Sequence, residues 1–209
     1  KGSVEMNNRH AQFTTPWRLS ATVSYSNLFQ RDHTISLTAL TAPAHTDQSQ
    51  VLALSYVVPM PGNEAWLGYA VYSNSSVSPL GASTVLGKGT ILGLRRILSL
   101  PGSGIYSQGF TWGLDYKNLK EDTLVGSDRS ATPVRYLPFS LAYNGAWQHS
   151  DRSQTQFTLT DVLAQRSILS RKVDCDVYGT LDQFDCKREG ADGSFSVLKL
   201  DLRHTHGVF

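Results

Sequence analysis

His204 and His206 stand two residues apart in an alternating segment, so on a strand they share one face and could together hold a metal ion. No cysteine or carboxylate joins them in a recognised metal-site spacing, and a histidine pair at the rim of a strand is the plainer account. Hydrolytic chemistry would need a histidine and carboxylates converging on one point, with geometry deciding before acidity. His10, His45, Asp47, Asp122, Asp128, Asp174 and Asp176 fall in predicted connections between strands but form no spaced motif. Acidic residues in loops are ordinarily just solvated. No catalytic residue, metal site or cofactor site is assigned, and the chain is not read as an enzyme. Cys175 and Cys186 both fall in the longest predicted connection. An even count in one loop fits a disulfide made in an oxidising compartment, with two free thiols as the alternative. The bridge is the expectation.

The elements that must carry these residues have a period of two. Trp17, Leu19, Ala21, Val23 and Tyr25 alternate with Arg18, Ser20, Thr22, Ser24 and Ser26. Side chains alternate across a strand, so one face is apolar and the other polar. The pattern returns in Tyr106, Phe110, Trp112, Leu114 and Tyr116 against Ser107, Gly109, Thr111, Gly113, Asp115 and Lys117. It returns again in Leu198, Leu200 and Leu202 against Lys199, Asp201 and Arg203. A soluble antiparallel sandwich also alternates. Here the strands are long, on the order of 10 residues, which matches a tilted membrane strand better than the usual ~5–6. Aromatics cluster near the predicted strand ends (Trp17, Tyr25, Trp66, Tyr72, Tyr106, Tyr116, Trp147), where a membrane-interface girdle would place them.

Composition agrees. Charged residues make up 17% of the 209 residues, below the roughly 25% of soluble domains. Ser, Thr, Gly, Asn and Gln take their place, which suits a wall apolar on one side and wet but uncharged on the other. The net charge of +2 comes without a basic cluster, so nucleic acid is not a partner. No run approaches the ~18 apolar residues of a membrane helix. The opening Lys1-Gly2-Ser3-Val4 lacks a signal peptide's apolar core, as a mature or partial chain of an exported protein would.

Strands are predicted over 2–9, 16–28, 33–41, 49–59, 65–76, 88–98, 105–117, 135–148, 153–163 and 191–205. The second, fourth, sixth and eighth connections are tight; the fifth, seventh and ninth are long, at 77–87, 118–134 and 164–190. Short turns on one rim and long loops on the other are how bacterial outer-membrane barrels are built, with the short turns in the periplasm. The stretch 160–171 is ambiguous: Asp161 could cap a short helix, or the strand could extend above the membrane.

Specific residues resemble a family. Val4-Glu5-Met6-Asn7-Asn8-Arg9, then Arg18-Leu19-Ser20-Ala21 running into Tyr25-Ser26-Asn27-Leu28-Phe29, is similar to the start of the barrel in two-partner secretion transporters of the haemolysin secretion/activation type. The resemblance continues in Leu54-Ser55-Tyr56-Val57-Val58-Pro59. It also covers Phe184-Asp185-Cys186-Lys187-Arg188, Ala191-Asp192, Phe195, Leu198 to Leu202, Thr205 and His206. Asn7 departs from the family's frequent Asp, and His10 from its common Gly.

The resemblance implies an all-β fold, an antiparallel transmembrane β-barrel with about ten strands present of an expected sixteen or so. Residues 1–209 would form one partial barrel segment, with periplasmic POTRA domains and the C-terminal strands lying outside it. It implies a monomeric barrel in the outer membrane of a Gram-negative bacterium, in contact with lipid. Its partner would be an unfolded exoprotein of haemolysin or adhesin type, pulled outward by folding at the cell surface and recognised mostly by the POTRA domains through strand addition. Arg18, Arg95, Asp115, Lys117, Lys199, Asp201 and Arg203 are the candidate lumen-facing residues; their plainer role is to pair with one another or solvate the interior. Two other readings stand beside this one. A complete ten-strand outer-membrane protease or lipid hydrolase would pair its first and last strands, and a soluble sugar-binding sandwich would fold without detergent.

Overall fold

The computed structural model describes residues 1–9, 15–75, 87–125, 128–150, 152–175 and 179–207. Its strands are β1 (Gly2–Asn7), β2 (Arg18–Leu28), β3 (His33–Thr41), β4 (Ser49–Met60), β5 (Glu64–Ser75), β6 (Lys88–Ser103), β7 (Tyr106–Val125), β8 (Asp128–Tyr136), β9 (Phe139–Ser150), β10 (Ser153–Ala164), β11 (Lys172–Cys175), β12 (Gly179–Asp182) and β13 (Phe195–His206). Among the described residues one short α-helix, α1 (Gln183–Lys187), follows β12.

The chain is an antiparallel all-β protein. One 11-stranded sheet runs in the order β1-β2-β3-β4-β5-β6-β7-β9-β10-β13, with β8 added to β7 off this path. From β1 to β8, and again from β9 to β10, neighbours in the chain pair in the sheet, because short connections favour antiparallel pairing of successive strands. The path is open: among the described residues, β1 and β13 are not paired with each other.

Local sequence explains the turns. β2 and β3 close through 29–32, where Phe29, Gln30 and Asp32 have positive φ and Asn27 Oδ1 accepts from the Asp32 amide at 3.1 Å. Between β4 and β5, Gly62 (φ 85°) and Asn63 (φ 60°) adopt the left-handed conformation that a tight hairpin needs. These turns share one end of the sheet with the short link 104–105; the described stretch 165–194 follows β10 at the other end.

Two expectations are corrected. The segment 118–134 is not a loop: β7 runs on to Val125 and returns as β8, a hairpin extending beyond the neighbouring strands. The predicted strand 135–148 is in fact split into β8 and β9, because Pro138 offers no amide to the ladder, although its carbonyl accepts from Asp115 N at 3.0 Å. The choice left open at 160–171 falls to the strand: β10 continues to Ala164, paired with β13 throughout, and a 3-10 turn follows at Arg166–Ile168.

The register sorts every strand by face. The row Val23, Leu37, Leu54, Ala70, Leu92, Tyr116 crosses six strands on one side. One residue over, Ser24, Ser36, Ser55, Tyr69, Gly93, Asp115 crosses the same strands on the other. The apolar side is open. Leu92, Leu94 and Leu54 are 40–52% exposed there, and Leu198, Leu200 and Leu202 reach 69%. On the polar side Arg18, Ser49, Ser73 and Asp115 are buried. The sheet therefore curls around its polar face, and among the described residues no second layer covers the apolar one. This inverts the packing of a sandwich, whose apolar faces meet each other.

Candidate functional site

The polar face gathers the candidate residues of the sequence. Asp115 pairs across to Gly93 and Arg95 to Gly113; Lys199, Asp201 and Arg203 pair to Thr160, Thr158 and Gln156; and Arg18 pairs to Asn7. Followed through the ladder, all seven lie on the same side of the sheet. Between them stand small hydroxyls, as in the Thr22–Thr38 contact at 3.0 Å.

Three strands build one polar centre on this face. Tyr69 Oη on β5 donates to Asp115 Oδ1 on β7 at 2.5 Å, and Arg95 Nη2 on β6 donates to Asp115 Oδ2 at 2.7 Å and reaches Tyr69 Oη at 3.3 Å. The Arg95 guanidinium also sits 5.7 Å from the centre of the Tyr69 ring. Both oxygens of the carboxylate are engaged, so the buried charge is compensated by a cation and a hydroxyl together. Lys117 follows Asp115 on the same face, with its ammonium 5.8 Å from the centre of the Tyr136 ring. Arg18 stands apart from this centre: its Nη1 donates to the carbonyls of Thr15 at 2.7 Å and Trp17 at 3.1 Å, anchoring the chain where β2 begins.

On the apolar face an aromatic chain follows the short-turn side of the sheet. It includes the ring contacts Phe29–His33, His33–Tyr56, Trp66–Trp112, Tyr143–Phe157, Trp147–Phe157 and Tyr106–Trp147, with centroids 4.8–6.5 Å apart. Arg96 breaks the apolar pattern there. It binds Glu64 Oε2 through Nε at 3.0 Å and Nη2 at 2.5 Å, and lies 5.9 Å from the Trp66 ring centre. Toward the long-loop side, Asp161 also lies on this face, where Ser196 Oγ donates to its Oδ1 at 3.1 Å.

At the long-loop end, Cys175 and Cys186 form a disulfide joining β11 to α1. Gln183 is fully buried beside it. Its side-chain amide mimics a strand: Oε1 accepts from Arg135 N at 2.8 Å, while Nε2 donates to the carbonyls of Arg135 at 2.6 Å and Leu169 at 3.3 Å. Phe184 and Phe195 each contact Tyr136, with centroids 6.1 Å apart, and Asp182 pairs with Arg166 at 3.3 Å. The loop is thus a folded unit docked against β8.

Among the described residues, the loop positions considered for hydrolysis stand on separate elements. His45 Nδ1 lies 4.0 Å from Asp47 Oδ1, both well exposed, while Asp174 belongs to β11 and Asp122 and Asp128 to the β7–β8 hairpin. His10 and Asp176 lie outside the described residues. His204 and His206 do share a face, the apolar one, with near-parallel rings 6.3 Å apart. Thr155 Oγ1 sits between His204 Nδ1 at 2.9 Å and His149 Nε2 at 2.8 Å. Among the described residues, no group of three or more His, Cys, Asp or Glu is arranged to hold a metal ion.

Sequence reasoning missed Tyr69, Gln183 and the Arg96–Glu64 pair. Around Tyr69 both faces of β5 are apolar (Leu67, Val71 against Ala70, Tyr72), so alternation gave no signal. Gln183 carries no local signature at all. The adjacent Arg95-Arg96 was a usable one, since neighbours on a strand must point to opposite faces.

No protein-family model matches the chain, and neither a curated protein nor a solved structure is similar enough to count as a relative.

Proposed function

We propose that this sheet is part of the wall of a β-barrel in a bacterial outer membrane, and that its polar face lines a pore through which an unfolded exoprotein leaves the cell. The observation that carries this reading is the continuous exposed apolar face, bordered by aromatics along its short-turn side, opposite a face of small polar residues. An apolar area of that extent in water would be an aggregation hazard; facing lipid it becomes the stabilising surface. Strand length agrees. The 12 residues of β4, β5, β9, β10 and β13 extend about 40 Å at ~3.3 Å per residue, which covers an apolar band ~25 Å tall at the usual tilt.

In this reading the short turns are periplasmic and the long loops extracellular. The edges of β1 and β13 are where further strands would pair to close a monomeric barrel, since unpaired backbone groups find no water in lipid. The seryl and threonyl wall offers weak, sequence-tolerant contacts, suited to a passing chain of varied composition. Folding of the exoprotein outside supplies the direction, and no catalytic step is needed. The likeness of Val4 to Arg9 and of Arg18 to Phe29 to two-partner secretion transporters supports the haemolysin or adhesin class of passenger. A closed ten-strand hydrolase fits less well, because its first and last strands would pair.

The test is reconstitution of the full-length protein in liposomes with an unfolded exoprotein outside and a protease added afterwards. Passage into the protected interior is expected. An inserted protein that transports no polypeptide under any gradient or folding trap would refute the secretion reading.

A further inference from the structure

We propose that Lys88, Lys120 and Arg135 form a docking site, on the outward face of the wall, for the phosphates of lipopolysaccharide, the glycolipid of the outer leaflet. The inference rests on the outer-membrane reading above and names the lipid that meets one rim. The site begins where the apolar face ends. Along β6 and β7 the outward pairs run Leu94–Leu114 and Leu92–Tyr116, turn polar at Thr90–Asn118 and become cationic at Lys88–Lys120. Arg135 on β8 pairs with Asn118, which puts it on the same face and diagonal to Lys120. Diagonal neighbours on one face of a sheet are about 7–8 Å apart, within reach of long side chains. That spacing suits a phosphate held between two cations. Lys88 and Lys120, set directly opposite each other, repel; a shared phosphate reverses the sign of that contact.

Arg135 is held in place for this role. Its Nε donates to Asn118 Oδ1 at 3.1 Å, which braces the guanidinium against β7. Its backbone is clamped between β7 and the buried Gln183 amide, which bonds Arg135 N at 2.8 Å and O at 2.6 Å. The planar guanidinium matches phosphate oxygens two at a time, while an exposed lysine such as Lys120 adds a mobile point charge. Charge on this stretch of the face is lopsided. Register adds Arg129 and one acid, Asp122, making four cations to one carboxylate; Glu121 and Asp128 belong to the polar face with Asp115. Glu64, the acid on the outward face of β5, sits toward the opposite end and is paired with Arg96. In the loop docked against β8, Asp182 and Asp192 pair with Arg166, and Lys187 and Arg188 equal Asp185 and Glu189 in number. Basic clusters at a membrane surface attract anionic headgroups, and this one lies at the long-loop end, beside the outer leaflet.

The test measures binding of purified lipopolysaccharide to the full-length protein folded in detergent at low salt. The heat-dependent gel shift checks that each variant is folded. Lys120→Gln with Arg135→Gln should weaken binding about tenfold or more, since each change removes a charge-assisted contact. Lys120→Gln alone, at an exposed position, should give a smaller loss in the same direction. Arg31→Gln, in the turn at the opposite rim, should bind as the parent does. Parent-like binding by the double variant, or equal binding of dephosphorylated lipopolysaccharide, would overturn the proposal. Displacement of the glycolipid by an equal concentration of phosphatidylglycerol would overturn it too, leaving only a general attraction for anions. A full-length protein that folds without detergent and does not enter vesicles would instead refute the membrane reading, and the site with it.

Discussion

The ring of Tyr69 lies flat across Gly93 on the neighbouring strand, so closely that a Cβ at residue 93 would collide with its Cε1, Cζ and Oη atoms. The glycine is what lets the tyrosine cross one strand and reach Asp115 on the next. Gly93→Ala should push the ring off its seat and cost about 1–3 kcal/mol, as overpacking does. Urea unfolding of the detergent- or lipid-folded protein measures it. Tyr69→Phe, which keeps the ring and loses only the hydroxyl, should cost less; equal losses would contradict this account of Gly93.

Asp115 and Arg95 should behave as a unit. Their side chains are only 10% and 16% exposed, so either partner left alone is a poorly hydrated charge. Asp115→Asn and Arg95→Gln should each cost about 1–3 kcal/mol, and the double variant less than the sum of the two. Strict additivity in the unfolding free energies would mean that the pair is not coupled.

Charge placement should read out the two faces. Leu94→Arg puts a cation on the apolar face between Gly68 and Leu114, where a lipid-facing arginine costs about 2–4 kcal/mol near the bilayer midplane. Thr158→Arg, on the polar face, should stay below about 1 kcal/mol. Refolding yield into lipid vesicles, followed by the heat-dependent shift in gel mobility, checks both.

The docked loop should depend on two separate ties. Reduction of Cys175–Cys186 removes a constraint of the kind worth about 2–4 kcal/mol, and protease cleavage within 165–194 should quicken. Gln183→Leu fills the same space without the three backbone hydrogen bonds, so the Arg135 amide should exchange faster while the disulfide stays intact. Hydrogen exchange that is unchanged in that variant would show that the disulfide alone holds the loop.

What was legible in the sequence followed from period and punctuation. Alternation assigned both faces of β2, β7 and β13 correctly, because membrane-length strands give enough repeats for a period of two to stand out. Turn residues such as Gly62 and Asn63 fixed the short connections. What lay beyond the pattern is tertiary. The β7–β8 hairpin is set by pairing between distant residues, Pro138 interrupts a strand that alternation runs straight through, and Gln183 acts only through where the loop happens to dock. Of the polar centre, Arg95 and Asp115 were found by face, but Tyr69 was hidden on a strand with two apolar sides.

The central claim is that one face of this sheet meets lipid and the other meets a passing chain. Thr158 and Leu159 are adjacent on β10 and point to opposite faces. A photo-crosslinking residue placed at each, in the full-length protein during secretion in cells, tests the claim directly. Crosslinks from residue 158 to the exoprotein and from residue 159 to lipid are the predicted result. Lipid adducts at both positions, or exoprotein adducts at neither, would contradict it.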